Sequence, residues 1–142
     1  MGGGAELACA TDFRIFRRGA RFQFVQVVRG VSPGWGGARH LHRLVGRGNA
    51  LRILGTGQPV DPSWALGVGL VDWIVEEDAV EGAVSEILEP FLVHPPSAVR
   101  ANKAAVLAAS DAGGEARELD CFASTIEGAS LGLKPNISEQ KA

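Results

Sequence analysis

At 142 residues the chain is long enough for one domain with its own core, and an apolar content of 46% is ordinary for a globular protein in water. A formal net charge of −2 offers no broad basic surface, so neither nucleic acid nor an anionic membrane is expected as a partner. Cys9 and Cys121 lack metal-type spacing, no apolar run reaches membrane-spanning length, and the start is not signal-like. A cytoplasmic (cytosolic) protein is the default expectation; a mitochondrial one stays open should a presequence be missing.

In chain order, Gly2-Gly3-Gly4 leads into a short buried helix over 4–10, with Cys9 as a small buried hydrophobe. Glycine allows a sharp turn and close approach, and the first amides of a helix lack intrahelical partners. Such an entry is a socket for developing negative charge, although a ligand-free tight turn selects the same glycines. No Gly-Lys-Ser/Thr follows, which excludes a Walker loop, and no strand precedes it in the chain, as a dinucleotide fingerprint requires.

Residues 12–16 alternate as a strand does, 17–21 form a polar turn, and 22–24 are extended. Residues 25–31 read as strand or helix. Arg14, Arg17, Arg18 and Arg21 are expected on a solvated face, with a substrate phosphate as the alternative. Pro33-Gly34-Trp35-Gly36-Gly37 is a loop; a helix over 38–45 closes at Gly46, and another covers 49–54. Asp61 caps a helix with Pro62 at its first position, ended by Gly67 and Gly69. Residues 70–75 are a strand. An amphipathic helix over 79–91 carries Val80, Val84, Ile87 and Leu88 on one stripe. Ser97 caps a helix to 109, and a last helix over 115–129 aligns Leu119, Phe122 and Ile126. The tail beyond Leu133 reads as frayed. The class is α/β, with short strands in front and mainly helix behind.

Several segments, in this order, resemble the enoyl-CoA hydratase/isomerase superfamily, the crotonases. They are Gly2-Gly3-Gly4-Ala5-Glu6-Leu7-Ala8, Asp12-Phe13-Arg14, Phe22 to Phe24, Pro33-Gly34-Trp35-Gly36-Gly37 and Gly55-Thr56-Gly57. Ala65-Leu66-Gly67-Val68-Gly69-Leu70-Val71-Asp72 and the helix bearing Lys103 complete the set. The resemblance implies the C-terminal part of a crotonase spiral fold. Residues 1–75 would hold part of the core with half of an oxyanion hole, and 76–133 a helical region for oligomerisation and active-site cover. Residues 134–142 would be tail. The family domain is larger, so its other oxyanion amide and the loops for the CoA nucleotide are expected outside this chain. A homo-oligomer, trimer or hexamer, is implied for the full domain.

The resemblance also implies chemistry. Crotonases pass through a thioester enolate held by two backbone N–H groups, and Gly3 matches one of these, with Gly2 beside it. Glu6 matches a catalytic carboxylate of the hydratases; an acidic residue also simply favours a helix N-terminus. Where hydratases carry their second carboxylate this chain has Gln26, and an amide is neither general acid nor base at neutral pH. Two-carboxylate hydration is therefore disfavoured. The Pro33-Gly34-Trp35 loop is similar to that of the ethylmalonyl-/methylmalonyl-CoA decarboxylases, with Trp35 as an acyl-pocket wall or as packing over the loop.

Lys103 is expected either to reach CoA phosphate or to be solvated. The expected substrate is an acyl-CoA thioester and the expected reaction decarboxylation of a short branched malonyl-CoA. Hydratase or isomerase activity is the alternative, and a non-catalytic subunit-binding module the third reading. No cofactor is called for, since the thioester is the electron sink. No metal is expected either: His40 and His42 are two apart on a helix and share no face.

Overall fold

The computed structural model describes residues 1–109 and 114–130, and the chain divides into two compact units, Met1–Ala83 and Val84–Ala142. The expected tail after Leu133 lies outside the described residues.

The first unit opens with helix α1, Gly3–Cys9. Gly2 precedes it at φ 59°, ψ −125°, a conformation open in practice only to glycine. Strand β1, Ile15–Arg17, is parallel to β2, Trp73–Val75, in the register Ile15 to Trp73 and Phe16 to Ile74. Both are shorter than the strands expected over 12–16 and 70–75. Arg14 explains the early part of the first run: its side chain turns inward and clamps the chain, donating to Leu70 O (2.8 Å) and Thr11 O (2.7 Å). It also pairs with Asp72 at 3.1 Å, while Asp72 accepts the Arg14 backbone N–H at 2.8 Å. At 7% exposure Arg14 is no part of a solvated face. Arg17 and Arg18 are, paired with Glu77 and Glu76 respectively.

A parallel pair needs a long crossover. Here it runs through α2, Gly37–Thr56, and α3, Pro62–Gly67. Gly46, at φ 73° and ψ 171°, breaks α2 into two helical runs, which is the interruption its position predicts. Asp61 caps α3 by accepting the Trp64 N–H at 2.8 Å, with Pro62 at the first position. The ambiguous 25–31 stretch is neither strand nor long helix: it makes one 3-10 turn, Val27–Arg29, closed by Gly30 at φ 70°. Phe22 forms only an isolated bridge to Val60.

The core gathers Phe16, Phe22, Phe24, Leu41, Ile53 and Leu70, with the three phenylalanine rings in a row at 5.4 and 5.7 Å. Such stacked and edge-on pairs add to burial. Cys9 lies in the same cluster, as expected of a small hydrophobe.

The second unit contains α5, Pro96–Ala108, packed on α6, Gly114–Ser130. Helix α4, Val80–Leu92, runs across the boundary and has no buried residue. Ser97 does not cap α5: the cap position is Pro95, and Ser97 already lies inside the helix. With Pro96 at the first position a missing N–H loses nothing there.

Candidate active site

The glycine entry, Gln26 and the Trp35 loop converge on one carboxylate. Glu6 sits in the first turn of α1, and only 4% of it is exposed. Its Oε1 accepts the Gln26 Nε2–H at 2.8 Å; its Oε2 accepts the backbone N–H groups of Trp35 (2.8 Å) and Gly37 (3.0 Å). Burial pushes the Glu6 pKa up, but the N–H groups of Trp35 and Gly37, the Gln26 amide and the Gly34 N–H outweigh it. The net displacement is below the usual 4.5.

Two glycines make this approach feasible. Gly36, the residue before α2, is at φ 83° and has no side chain to cap the helix. Glu6 fills that role from another helix, its charge set against the positive end of α2. A Cβ on Gly37 would fall 2.8 Å from Glu6 Oε2 and closer still to Glu6 Cγ. Glycine inside a helix is ordinarily a loss relative to alanine, so its presence here reports a close contact.

Gly2 ties α1 to the segment before Gln26: its N–H donates to Gln23 O at 2.9 Å. The Trp35 indole lies across Gly3, where a Cβ would meet Cζ3 at 2.6 Å and Cη2 at 3.0 Å. Trp35 is nevertheless 76% exposed, so it is held by its backbone while its ring faces outward over Gly3. Pro33 is half-buried and Gly34 exposed in the same loop.

Gln26 is half-buried and immediately precedes the 3-10 turn Val27–Arg29. A carboxylate accepts only, so the face of the amide turned to Glu6 must be its NH2. The Gln26 Oε1 is thereby directed elsewhere; it is buried and has no hydrogen-bond partner among the described residues.

Gly2, Gly3, Glu6, Gln26 and the Pro33-Gly34-Trp35 loop, all singled out in the sequence, thus come together. Lys103 belongs to the second unit, exposed on α5. The residue missed is Gly37, as a backbone donor to the carboxylate that follows the left-handed Gly36. The available signal was a paired glycine where a helix begins and no Ser, Thr, Asp or Asn stands to cap it. Cys9, one turn beyond Glu6, is pushed up to about 11 by burial; Arg14 draws it down and Glu6 raises it. It is a packed thiol, not a nucleophile.

Residues 1–131 match the family described as enoyl-CoA hydratase/isomerase. The chain is 39% identical over 111 residues to the ethylmalonyl-CoA decarboxylase of Danio rerio, covering 75% of this chain and 37% of that protein. It is 38% identical over 106 residues to the short-chain-enoyl-CoA hydratase of Clostridium acetobutylicum, covering 75% and 41%. The solved enoyl-CoA hydratase from Bacillus anthracis matches with a TM-score of 0.84 at 32% identity, over 89% of this chain and 50% of that one. The chain spans less than half the length of these two curated relatives. On the extent of the family match and of the shared fold, the chain belongs to the enoyl-CoA hydratase/isomerase family.

Proposed function

We propose that this chain carries one side of an active site that decarboxylates a short branched malonyl-CoA, ethylmalonyl- or methylmalonyl-CoA, through a thioester enolate. The observation that carries the reading is Gln26. Its amide is bonded to Glu6, so among the described residues this corner offers one carboxylate, with both oxygens already accepting hydrogen bonds, where hydration would use two. Decarboxylation needs less: the leaving carboxylate held out of the thioester plane, and donors on the enolate oxygen that develops.

The Gly3 N–H starts α1 and has no acceptor among the described residues, so it is available to the enolate oxygen. Loss of one such donor lowers turnover by about 100-fold or more. Gln26 and Trp35 border the acyl group, Trp35 as an apolar wall beside Gly3. Gly2, Pro33 and Gly34 shape the entrance, and Lys103 is assigned to CoA phosphate. The thioester itself is the electron sink, so the substrate brings the only group the chemistry requires. A homo-oligomer presents the exposed apolar residues of α6, Leu119 and Phe122, to further copies.

A second reading, enoyl-CoA hydration, is favoured by the retention of Glu6 and by the similarity to the Clostridium acetobutylicum hydratase. Incubation with methylmalonyl-CoA and with crotonyl-CoA separates the two. Propionyl-CoA and carbon dioxide are expected from the first and no hydration of the second. Hydration of crotonyl-CoA without carbon dioxide release contradicts the proposal.

A further inference from the structure

The Glu6 carboxylate is engaged on both oxygens by three donors at 2.8–3.0 Å, two of them backbone N–H groups at the start of α2. A side chain that is to take or give a proton needs an open lone pair facing substrate. In this one Oε2 is taken twice by backbone N–H groups and Oε1 is taken by the Gln26 amide. What Glu6 touches, moreover, are the residues assigned to the acyl group: the Gln26 amide and the Trp35 backbone.

The orientation of Gln26 follows from this. With its NH2 drawn to the carboxylate, its Oε1 is a buried acceptor without a partner among the described residues. An unpaired buried acceptor is unfavourable, but turning the amide over would set its oxygen against the Glu6 carboxylate and leave the NH2 unpaired instead. Glu6 prevents that rotation. The Gly37 contact shows the same selection from the other side, because a Cβ there would displace the carboxylate.

We propose that Glu6 is a positioning residue: a fixed anion that orients the Gln26 amide and the Trp35 loop toward the acyl group and exchanges no proton with it. The proposal rests on the reading of Gln26 and Trp35 as acyl-pocket residues. It assigns Glu6 a role opposite to the acid–base one its position suggests.

The test compares wild type, Glu6→Gln, Gln26→Ala and the double variant in carbon dioxide release from methylmalonyl-CoA at pH 5.5–8.5. Acting through Gln26, Glu6→Gln lowers kcat/KM about 10-fold or more alone, but less than about 3-fold in the Gln26→Ala background. Its pH profile runs parallel to that of the wild type. Fully multiplicative losses, or a wild-type ionisation limb that Glu6→Gln abolishes, overturn the proposal. If Glu6→Gln does not fold, Glu6→Asp, which keeps the charge but withdraws it by one methylene, is read in the same way.

Wild-type protein that releases no carbon dioxide removes the decarboxylase reading alone. The same four proteins are then compared in their Kd for butyryl-CoA. Non-multiplicative losses there uphold the positioning role, and multiplicative losses refute it. A wild type that binds no acyl-CoA refutes both.

Discussion

The corner around Glu6 and the helical pair α5–α6 are built on opposite terms. In the corner, side chains are chosen by contacts of a few ångströms: Gly37 by the carboxylate, Gly3 by the Trp35 ring, Gln26 by the single hydrogen bond it donates. On α6, Leu119 and Phe122 are 67% and 62% exposed, and on α5 Val106 and Leu107 are also exposed; only Ala108 is buried. The corner is specified residue by residue, whereas the helical pair is specified only as apolar. Substitutions should therefore act sharply in the first and weakly in the second.

The largest stability effect is expected for Gly37→Ala. In an unconstrained helix this exchange stabilises by about 0.5–1 kcal/mol. Here the added methyl drives against Glu6, and a loss of about 3 kcal/mol is expected in urea unfolding. A gain in stability would erase the distinction between the two regions.

Glu6→Ala comes next, since it leaves the N–H groups of Trp35 and Gly37 and the Gln26 amide unpaired in a buried place. A loss of about 2–3 kcal/mol at neutral pH is expected. The pH dependence has a definite sign. Glu6 titrates lower in the folded chain than in the unfolded one, so the unfolded state takes up the proton first. The stabilisation is fully present above about pH 4.5 and is lost as pH falls through the lower folded value. Urea midpoints of wild type should drop across that window more steeply than those of Glu6→Gln.

Gly3→Ala should be milder in stability, by about 1 kcal/mol or less, because the obstructing Trp35 ring is exposed and can swing away. Its signature is coupling: adding Trp35→Ala should recover most of that loss. Equal effects in both backgrounds would separate the ring from Gly3. The smallest effect belongs to α6, where Phe122→Ser should change unfolding stability by about 0.5 kcal/mol or less. Its effect should instead be on association, as a smaller species in size-exclusion chromatography.

Much of the site was legible in the sequence because short motifs carried it. The glycine entry was marked by residue type, and Glu6, Gln26 and the Trp35 loop by the resemblance to the crotonases. The cap at Asp61 and the interruption at Gly46 were equally plain, since local backbone chemistry decides them. Arg14 was not legible. Its burial depends on carbonyls of Thr11 and Leu70 and on Asp72, 58 residues away, which only the folded chain assembles. Nor was the direction of the Glu6 carboxylate, because a helix-start glutamate reads the same whether it faces solvent, substrate or the next helix. Ser97 misled for a related reason: Pro96 had already begun α5 one residue earlier.

The most direct test of a carboxylate held as an anion is a carbon-13 NMR titration of the Glu6 side-chain carboxyl in the whole chain. A midpoint below 4.5 is expected, with the Gly37 amide shift following the same curve. A midpoint raised to about 6 or above, where a general acid would be poised, would contradict it.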